Sequence, residues 1–213
     1  MKIAIASDVY YPMTNGIAVF THNLAVGLAQ RGHEVLVVCP SFKAKKYTAT
    51  VEGVKTAHLS SMRIPFYPDQ INKVPEKKKI GNVSMPRIAY RHGIWISPYP
   101  YPEVKKILDD FQPDVIHLQT AETIALATMN YVRKYDVPLV STGHAYPDNL
   151  TQQIKFIKPV KRPIDEVIRR YRASFLKHSE YATAPTELAI EGLVRKERKK
   201  IRVEALSNGV DLS

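Results

Sequence analysis

The sequence predicts one doubly wound α/β domain, in which a mostly parallel sheet carries helices on both faces. Short runs rich in apolar and β-branched residues alternate with longer segments of helical periodicity, which is typical of such a sheet. The chain has 213 residues, 45% hydrophobic and 24% charged, which suits one sizeable core and argues against a disordered protein. We place this domain at residues 1–206 and expect residues 207–213 to begin a crossover to a second domain.

The first predicted unit is a strand, a helix and a second strand. Residues 2–7 form an apolar strand, and the following helix, 17–31, ends before Gly32 in the position that favours glycine. Its apolar stripe consists of Val19, Phe20, Leu24, Leu28 and Ala29. The run 34–39 is the second strand and contains the single cysteine, Cys39, which we expect to be a buried thiol.

The alternation weakens in the middle of the chain and then resumes. A third strand is predicted at residues 54–59, and residues 60–100, rich in Pro, Lys and Tyr, are predicted as excursions with short strands near 84–90. Further strands are predicted at 115–118, 138–142, 181–184 and 201–206, and further helices at 102–111, 122–134, 164–177 and 187–195. The helix 164–177 has one apolar face, made of Ile164, Val167, Ile168, Tyr171 and Phe175. That face either packs on the core or lies in the plane of a membrane.

The loops after the strands are the expected place for ligands, because doubly wound sheets bind them at the carboxyl ends of strands. Gly16 lies at the entrance of the first helix, where its backbone N–H and the helix dipole would hold an anion. Asn15 or Thr14 would cap the same helix. Ordinary turn chemistry also explains a glycine at this point. The chain has neither a Gly-x-Gly-x-x-Gly motif nor a P-loop, which disfavours a classical NAD enzyme and a P-loop ATPase.

Two histidines end predicted strands. His144 could donate a hydrogen bond to a hydroxyl or phosphate group, and Asp148 is close enough in sequence to orient it or to bind a hydroxyl. His117 alternates with apolar neighbours, so a structural role is the alternative to ligand binding there. The histidines lack the spacing of a metal site, so no protein-bound metal is predicted. His22 and His33 are predicted to lie on the surface of the first helical unit.

An ordered set of short motifs resembles the family 4 glycosyltransferases of the GT-B fold. The motifs are Ile3-Ala-Ile-Ala-Ser-Asp-Val-Tyr-Tyr-Pro with Asn15-Gly16, Leu28-Ala-Gln-Arg-Gly-His-Glu-Val, Pro113-Asp-Val-Ile-His, Gly143-His144, Ala184-Pro-Thr-Glu187 and Asn208-Gly-Val-Asp211. Each motif is weak alone, but their order is specific and covers nearly the whole chain. Within the family, the sequence looks most like bacterial enzymes that glycosylate diacylglycerol or phosphatidylinositol.

The resemblance implies a fold of two Rossmann-like domains, with this chain on the acceptor side and a C-terminal domain holding the donor. It implies retaining transfer of a sugar from a UDP- or GDP-linked donor, with no other cofactor. Asn15 and Gly16 would then lie at the donor diphosphate, and His144 would be the catalytic histidine near the transferred sugar. Asp148 and His117 are assigned to the acceptor. Ala145 and Pro147 replace the Thr and Tyr common in glycolipid synthases, which leaves a soluble acceptor as the alternative.

The basic residues are concentrated in two segments. Residues 43–91 carry 11 basic and three acidic side chains, and residues 155–200 carry 13 basic and six acidic ones, in a chain of net charge +11. This distribution favours an anionic surface or a polyphosphate ligand, although two ordinary solvated faces would give the same pattern. We predict contact with an anionic membrane through Lys77, Lys78, Lys79, Lys158, Lys161 and Arg162.

The basic segments would also fit an anionic partner other than a membrane. A nucleic-acid or polyphosphate-binding module is disfavoured, because the lysine clusters lack the interleaved stacking aromatics of such modules, and no nucleic-acid partner is predicted.

The N-terminus does not have the pattern of a signal peptide, and the sequence contains no apolar run of about 20 residues. We therefore expect a cytoplasmic protein that is peripheral on the inner face of the membrane.

Overall fold

An eight-stranded, mostly parallel sheet lies at the centre of the computed structural model, which describes residues 1–11, 13, 15–63, 79–80, 83–84, 95–144, 161–194 and 201–208. Its strands are β1 (Lys2–Ala6), β2 (Glu34–Pro40), β3 (Tyr47–Val51), β4 (Val54–Leu59), β9 (Val115–Leu118), β10 (Leu139–Thr142), β11 (Tyr181–Ala184) and β12 (Glu204–Ala205). Two short antiparallel pairs lie outside it, β5 (Met62–Arg63) with β8 (Trp95–Ile96) and β6 (Lys79–Ile80) with β7 (Val83–Ser84). The strand order is β12-β11-β10-β9-β1-β2-β4-β3.

Helices cover both faces of this sheet. The described helices are α1 (Gly16–Gln30), α2 (Tyr101–Phe111), α3 (Thr123–Tyr135), α4 (Lys161–Lys177) and α5 (Glu187–Val194). In β1, Ile3 and Ile5 belong to the same buried cluster as Ala25 of α1, whereas Ala4 and Ala6 belong to the cluster that contains residues of α2 and α3. Alternate residues of a strand point to opposite faces, so the predicted doubly wound α/β architecture is confirmed.

Most predicted elements agree with the structure to within a few residues at their ends. The last strand is the exception, because only Glu204–Ala205 of the predicted 201–206 pairs with β11. Of the short strands predicted near residues 84–90, Ser84 belongs to β7, and residues 85–90 lie outside the described residues. Cys39 is fully buried with its Sγ 3.3 Å from Nδ1 of His58, and burial raises the pKa of the thiol. The prediction of a buried core thiol is confirmed.

One strand of the eight-stranded sheet, β3, was not predicted. β3 pairs antiparallel with β4 through a tight turn at Glu52 and Gly53, whose φ angles are 51° and 80°. Positive φ at both central residues is the requirement of a type I′ turn, which is usually met by Asn-Gly or Asp-Gly. Glutamate at the first position hides this signal, although the Thr-Ala-Thr-Val sequence that precedes the turn has the composition of a strand.

The first helix is capped at both ends as its sequence suggests. The side-chain oxygen of Asn15 accepts a hydrogen bond from the backbone N–H of Ala18 at 2.9 Å, which satisfies one free donor of the first turn. At the other end Gly32 has φ of 85°, and the N–H of His33 reaches the carbonyl of Leu28 at 3.2 Å. These contacts form a Schellman motif, so the predicted glycine stop is confirmed.

The buried face of α1 differs from the predicted stripe. The buried residues are Ala18, Thr21, His22 and Ala25, and the larger apolar side chains of the predicted stripe are only half-buried. His22 was placed on the surface, and that prediction is wrong. Its Nδ1 lies 3.0 Å from the Tyr10 hydroxyl and its Nε2 3.3 Å from Oε2 of Glu52, so it joins the loop after β1 to the β3–β4 turn. Burial lowers the pKa of this imidazole.

The predicted apolar face of α4 is also rotated relative to the observed one. Arg169, Ala173, Phe175 and Leu176 are buried, whereas Val167 is 67% exposed and Tyr171 is 39% exposed. The guanidinium of Arg169 is accommodated because it donates to Glu166 on the same helix at 2.6 and 2.9 Å. No helix in the described part of the chain is long and apolar enough to cross a bilayer.

The carboxylate of Asp8, directly after β1, caps the N-terminus of α3. Its oxygens accept hydrogen bonds from the backbone N–H groups of Ile124 at 2.9 Å and Ala125 at 3.2 Å, and from the hydroxyl of Thr120 at 3.0 Å. The local cap residue, Glu122, makes no side-chain capping bond. Burial, followed by repulsion from Glu122, raises the pKa of Asp8 to about 6 despite these donors.

The raised pKa gives Asp8 a predicted signature in the pH dependence of stability. The pKa moves from 3.8 to about 6 on folding, so the folded protein binds the proton more tightly than the unfolded chain does. The stabilisation from protonated Asp8 is then complete below about pH 4 and is lost as the pH rises through 6. We expect the Asp8→Asn variant to lack this slope, so the difference in urea-unfolding free energy between wild type and variant should change as the pH rises from 4 to 6. The variant should also be less stable by about 1–3 kcal/mol, because an amide N–H₂ group replaces one acceptor oxygen.

The exposed residue Asp110 provides the control for this experiment, and Asp110→Asn should leave the slope between pH 4 and 6 as it is in wild type. Parallel stability curves for wild type and Asp8→Asn over that range would show that Asp8 does not titrate there.

Candidate active site

The strand order creates a crevice between β1 and β9. From β1 the sheet extends through β2 to one edge, and the chain then returns to place β9 on the other side of β1. Loops leave the carboxyl ends of these two neighbouring strands in opposite directions at such a switch point. This geometry is where doubly wound sheets bind ligands.

A cleft opens at this crevice and is lined by the loops that follow β1, β9 and β10. It contains about 60 Å³ that water-sized molecules can occupy, which is room for several waters or a small group of ligand atoms. Helix α1 contributes Ile17 and α4 contributes Arg172. The other lining residues include Val9, Gln119, Thr120, Ala121, Glu122, Thr142, Gly143 and His144.

His144 lines this cleft directly after β10, as the sequence suggested. Its Nε2 lies 2.6 Å from Oε1 of Gln119, and its ring meets the Phe20 ring of α1 edge-on, with the ring centroids 4.8 Å apart. Burial lowers the pKa of His144 to about 4, so the ring is neutral near pH 7. Since an amide oxygen only accepts hydrogen bonds, Nε2 carries the proton and Nδ1 is left as an acceptor. A neutral ring in this state suits a hydroxyl donor better than a phosphate.

His117 is held below the cleft rather than along its wall. Its Nε2 lies 2.8 Å from the Thr142 hydroxyl and 3.1 Å from Nε2 of Gln119. Burial, followed by the neighbouring His144, lowers its pKa to about 4. These contacts favour the structural alternative for His117, and its assignment to the acceptor remains a prediction.

Asn15 and Gly16 lie at the N-terminus of α1, and Phe20, one turn further along this helix, contacts His144. A methyl group built on Gly16 would have no described atom within 4 Å, and Gly16 does not have the positive φ that requires glycine. The fold of the described residues therefore does not demand glycine at this position. Open space at the N-terminus of a helix is compatible with the close approach of an anionic ligand.

Gly143 has a different reason to be glycine. A methyl group at this position would lie 2.5 Å from Cδ1 of Leu193 in α5, so a larger residue would displace that side chain. The N–H of Gly143 donates to the carbonyl of Thr183 at 2.8 Å. Close packing thus fixes the backbone immediately before His144.

Sequence reasoning missed an ion pair that lines the cleft, Glu122 with Arg172. Glu122 accepts a hydrogen bond from Nη2 of Arg172 at 3.0 Å, and this pair joins the start of α3 to α4. The Arg172 side chain is only 11% exposed. Gln119, which contacts His144, was not among the predicted site residues either. An arginine inside a basic helix gives no local signal that it points to the cleft.

Several other predicted site residues cannot be compared with the structure. Asp148, Lys77, Lys78 and Lys158 lie outside the described residues. Lys79 begins β6, and Lys161 and Arg162 begin α4. Membrane contact by these residues stays a prediction.

Comparisons with known proteins identify relatives over nearly the entire chain. The family model described as Glycosyltransferase Family 4 matches residues 14–213. An alpha-monoglucosyldiacylglycerol synthase of Streptococcus pneumoniae (strain ATCC BAA-255 / R6) is 22% identical over 217 aligned residues, covering 100% of this chain and 41% of the relative. An enzyme of the same name from Acholeplasma laidlawii is 22% identical over 197 residues, covering 92% of the chain and 43% of the relative. The chain thus spans less than half the length of these curated relatives.

A solved structure confirms the fold. The sucrose-phosphate synthase from Thermosynechococcus elongatus superposes with a TM-score of 0.61 at 13% identity, and the match covers 99% of this chain and 49% of that one. At this level of identity the likeness concerns the fold alone.

Replacement of Gly16 separates a ligand-binding role from a structural one. We expect Gly16→Ala to keep or raise the unfolding free energy, by up to about 1 kcal/mol, because alanine is the better helix former. The same variant should bind a UDP- or GDP-linked sugar at least about 10-fold more weakly in titration calorimetry of the full-length protein, because the methyl group blocks the approach to the helix terminus.

Gly27→Ala is the matched control, since Gly27 also lies in α1 with no described atom within 4 Å of an added methyl group. It should gain similar stability and bind normally. Equal nucleotide-sugar binding by both variants would remove Gly16 from the donor site.

Proposed function

Because the chain belongs to glycosyltransferase family 4, we propose that it forms the acceptor-side half of the active site of an enzyme that transfers a sugar. The observation that carries this proposal is the contact of His144 with α1 at the switch-point cleft. It brings a neutral, hydrogen-bonding imidazole to the first turns of α1, where no described atom lies within 4 Å of a methyl group built on Gly16. Sugar transfer needs both features, one for a hydroxyl and one for an anion.

The donor in this proposal is a nucleotide-linked sugar whose diphosphate lies at the N-terminus of α1. Negative charge grows on that diphosphate as the bond to the sugar breaks. The free backbone N–H groups of the first turn and the helix dipole would stabilise this charge. Asn15 would contribute by fixing the first turn, because its side-chain oxygen already caps Ala18.

His144 acts on the sugar rather than on the phosphate in this proposal. Its Nδ1 would accept a hydrogen bond from a hydroxyl of the transferred sugar and so hold the reacting carbon in place. Transfer with retention of configuration passes through positive, oxocarbenium-like charge on that carbon. A neutral ring stabilises that charge better than an imidazolium, which would repel it.

The proposed acceptor is a lipid presented at a membrane surface. Two features support it: both curated relatives are named alpha-monoglucosyldiacylglycerol synthase, and the two basic segments would attract anionic lipid. A soluble acceptor is the second candidate, favoured by Ala145 and Pro147, which depart from the glycolipid synthase pattern. A transfer assay with a lipid acceptor and with a soluble acceptor distinguishes the two candidates.

Removal of the His144 imidazole tests the enzyme assignment. We expect His144→Ala in the full-length protein to lower kcat about 100-fold, the usual cost of losing a hydrogen bond that orients the reacting group. The assay follows sugar transfer from UDP- and GDP-linked hexoses to diacylglycerol in vesicles and to soluble sugar acceptors. The unfolding midpoint is measured in parallel.

His33→Ala serves as the histidine control, because His33 lies beyond the C-terminus of α1 and away from the cleft. It should retain wild-type turnover. Near-normal turnover by His144→Ala would exclude this residue from the reaction, and a wild-type protein that transfers no hexose to any acceptor would contradict the proposed function.

The basic segments are tested separately from catalysis. We expect replacement of Lys77, Lys78 and Lys79 by Gln to weaken sedimentation with phosphatidylglycerol vesicles about 100-fold, at roughly 1 kcal/mol for each lysine near the surface. Binding of the wild type should also fall as salt rises.

The matched control replaces the exposed residues Arg31, Lys106 and Lys134 by Gln and removes the same charge elsewhere. Equal losses in the two triple variants, or salt-insensitive binding, would show that these lysines do not form a specific contact.

A further inference from the structure

A chain of hydrogen-bonded side chains leads from the cleft into the sheet, and Gln119 is the link between its two histidines. Gln119 is only 1% exposed. Its Oε1 lies 2.6 Å from Nε2 of His144, and its Nε2 lies 3.1 Å from Nε2 of His117. The chain continues from His117 to the Thr142 hydroxyl at 2.8 Å and from there to the Thr183 hydroxyl at 2.9 Å.

The donors and acceptors of this chain leave little freedom. A side-chain amide has one oxygen that only accepts and one nitrogen that only donates, and a neutral imidazole has one nitrogen of each kind. Contact with the amide oxygen therefore places the proton of His144 on Nε2. Contact with the amide nitrogen makes Nε2 of His117 an acceptor and places the proton of that ring on Nδ1. One buried amide thus sets the proton positions of two rings.

The neighbours of His144 explain why the ring needs such a partner. The ring of Phe20 contacts the imidazole of His144 edge-on. This contact restricts the plane of the imidazole only loosely, because the phenyl ring forms no hydrogen bond with it. The backbone before it is fixed by the tight packing of Gly143 against α5. Among the described residues, the hydrogen bond to the ring of His144 comes from Gln119, which therefore restricts both its rotation and its tautomer.

We propose that Gln119 is a positioning residue, which holds His144 in the Nε2-protonated tautomer and so presents Nδ1 as the hydrogen-bond acceptor for a ligand hydroxyl. The assignment of that hydroxyl to the transferred sugar rests on the proposed function. The tautomer and orientation of His144 do not. Gln119 itself does not need to touch the substrate in this role, and its effect passes through His144.

The tautomers can be read directly in the unmodified protein. In full-length protein labelled with ¹⁵N-histidine, the imidazole ¹⁵N shifts near pH 7 should show a protonated Nε2 for His144 and a protonated Nδ1 for His117. The resonances are assigned by their loss in His144→Ala and His117→Ala. An unprotonated Nε2 on His144 would mean that Gln119 presents its amide nitrogen, not its oxygen, to this ring. That result would overturn the proposal regardless of the kinetics of the variants.

Two substitutions of Gln119 distinguish positioning from packing. Gln119→Met keeps the volume but removes both hydrogen bonds, so we expect a mixture of His144 tautomers. Its kcat should fall at least about 10-fold while KM for the donor changes little, since misplacement of a reacting group costs turnover more than binding. Gln119→Glu keeps the acceptor and adds a negative charge, which favours the protonated imidazolium. In that variant the acid limb of the pH–rate profile should move upward by about 1 unit or more.

The control is Gln30→Met, an exposed glutamine at the end of α1, which should leave tautomers and kinetics unchanged. If Gln119→Met keeps both the wild-type tautomer and the wild-type kcat, Gln119 does not position His144. Expected tautomers in a protein that transfers no sugar would uphold the positioning role and reject the proposed function, so the two failures remain distinguishable.

Discussion

The capping of α3 by Asp8 is the interaction on which the candidate site depends. The carboxylate comes from the end of β1, and the amides it binds begin the helix that follows β9. It therefore bridges the two strands between which the crevice opens. The N–H groups at the start of a helix need an acceptor. Glu122, the local cap residue, does not provide one, because it pairs with Arg172. Loss of Asp8 would therefore destabilise both the start of α3 and the neighbouring part of the cleft.

The cleft that results combines a neutral interior with charge at its rim. His144 and His117 are both held uncharged by burial, and the amide between them provides hydrogen bonds without charge. The Glu122–Arg172 ion pair also lines the cleft. A surface of this kind suits a polyhydroxyl group and leaves the anionic part of a ligand to the N-terminus of α1. The proposed sugar transfer uses both parts.

Much of this arrangement could be predicted from local sequence. Gly32 ends α1, Asn15 begins it, and the alternation of apolar strands and periodic helices gives the doubly wound sheet. Each of these features acts over a few residues, so its signal is complete within a short window. His144 was also found, because a histidine that directly follows a predicted strand lies at the edge where such sheets bind ligands.

Other features required partners far apart in sequence. His22 can be buried because both of its ring nitrogens form hydrogen bonds, one with Tyr10 and one with Glu52. The sequence of α1 contains no pattern that predicts these partners. The faces of α1 and α4 were misassigned for a related reason. Small residues such as Ala18 and Ala25 allow α1 to approach the sheet closely, and the ion pair with Glu166 allows Arg169 to be buried. A prediction from periodicity considers only large apolar side chains, so it misses both effects. The Glu52-Gly53 turn concealed β3 because glutamate seldom adopts the positive φ it has here.

The sequence by itself therefore determined the architecture, the glycine at the start of α1 and the position of His144 at the edge of the sheet where such folds bind ligands. Only the tertiary structure decided the chemical state of that histidine. Its proton position depends on Gln119, which is 25 residues away along the chain, and its neutrality depends on burial by several elements. Hydrogen-bond direction and desolvation are properties of assembled neighbours, and a linear pattern contains neither.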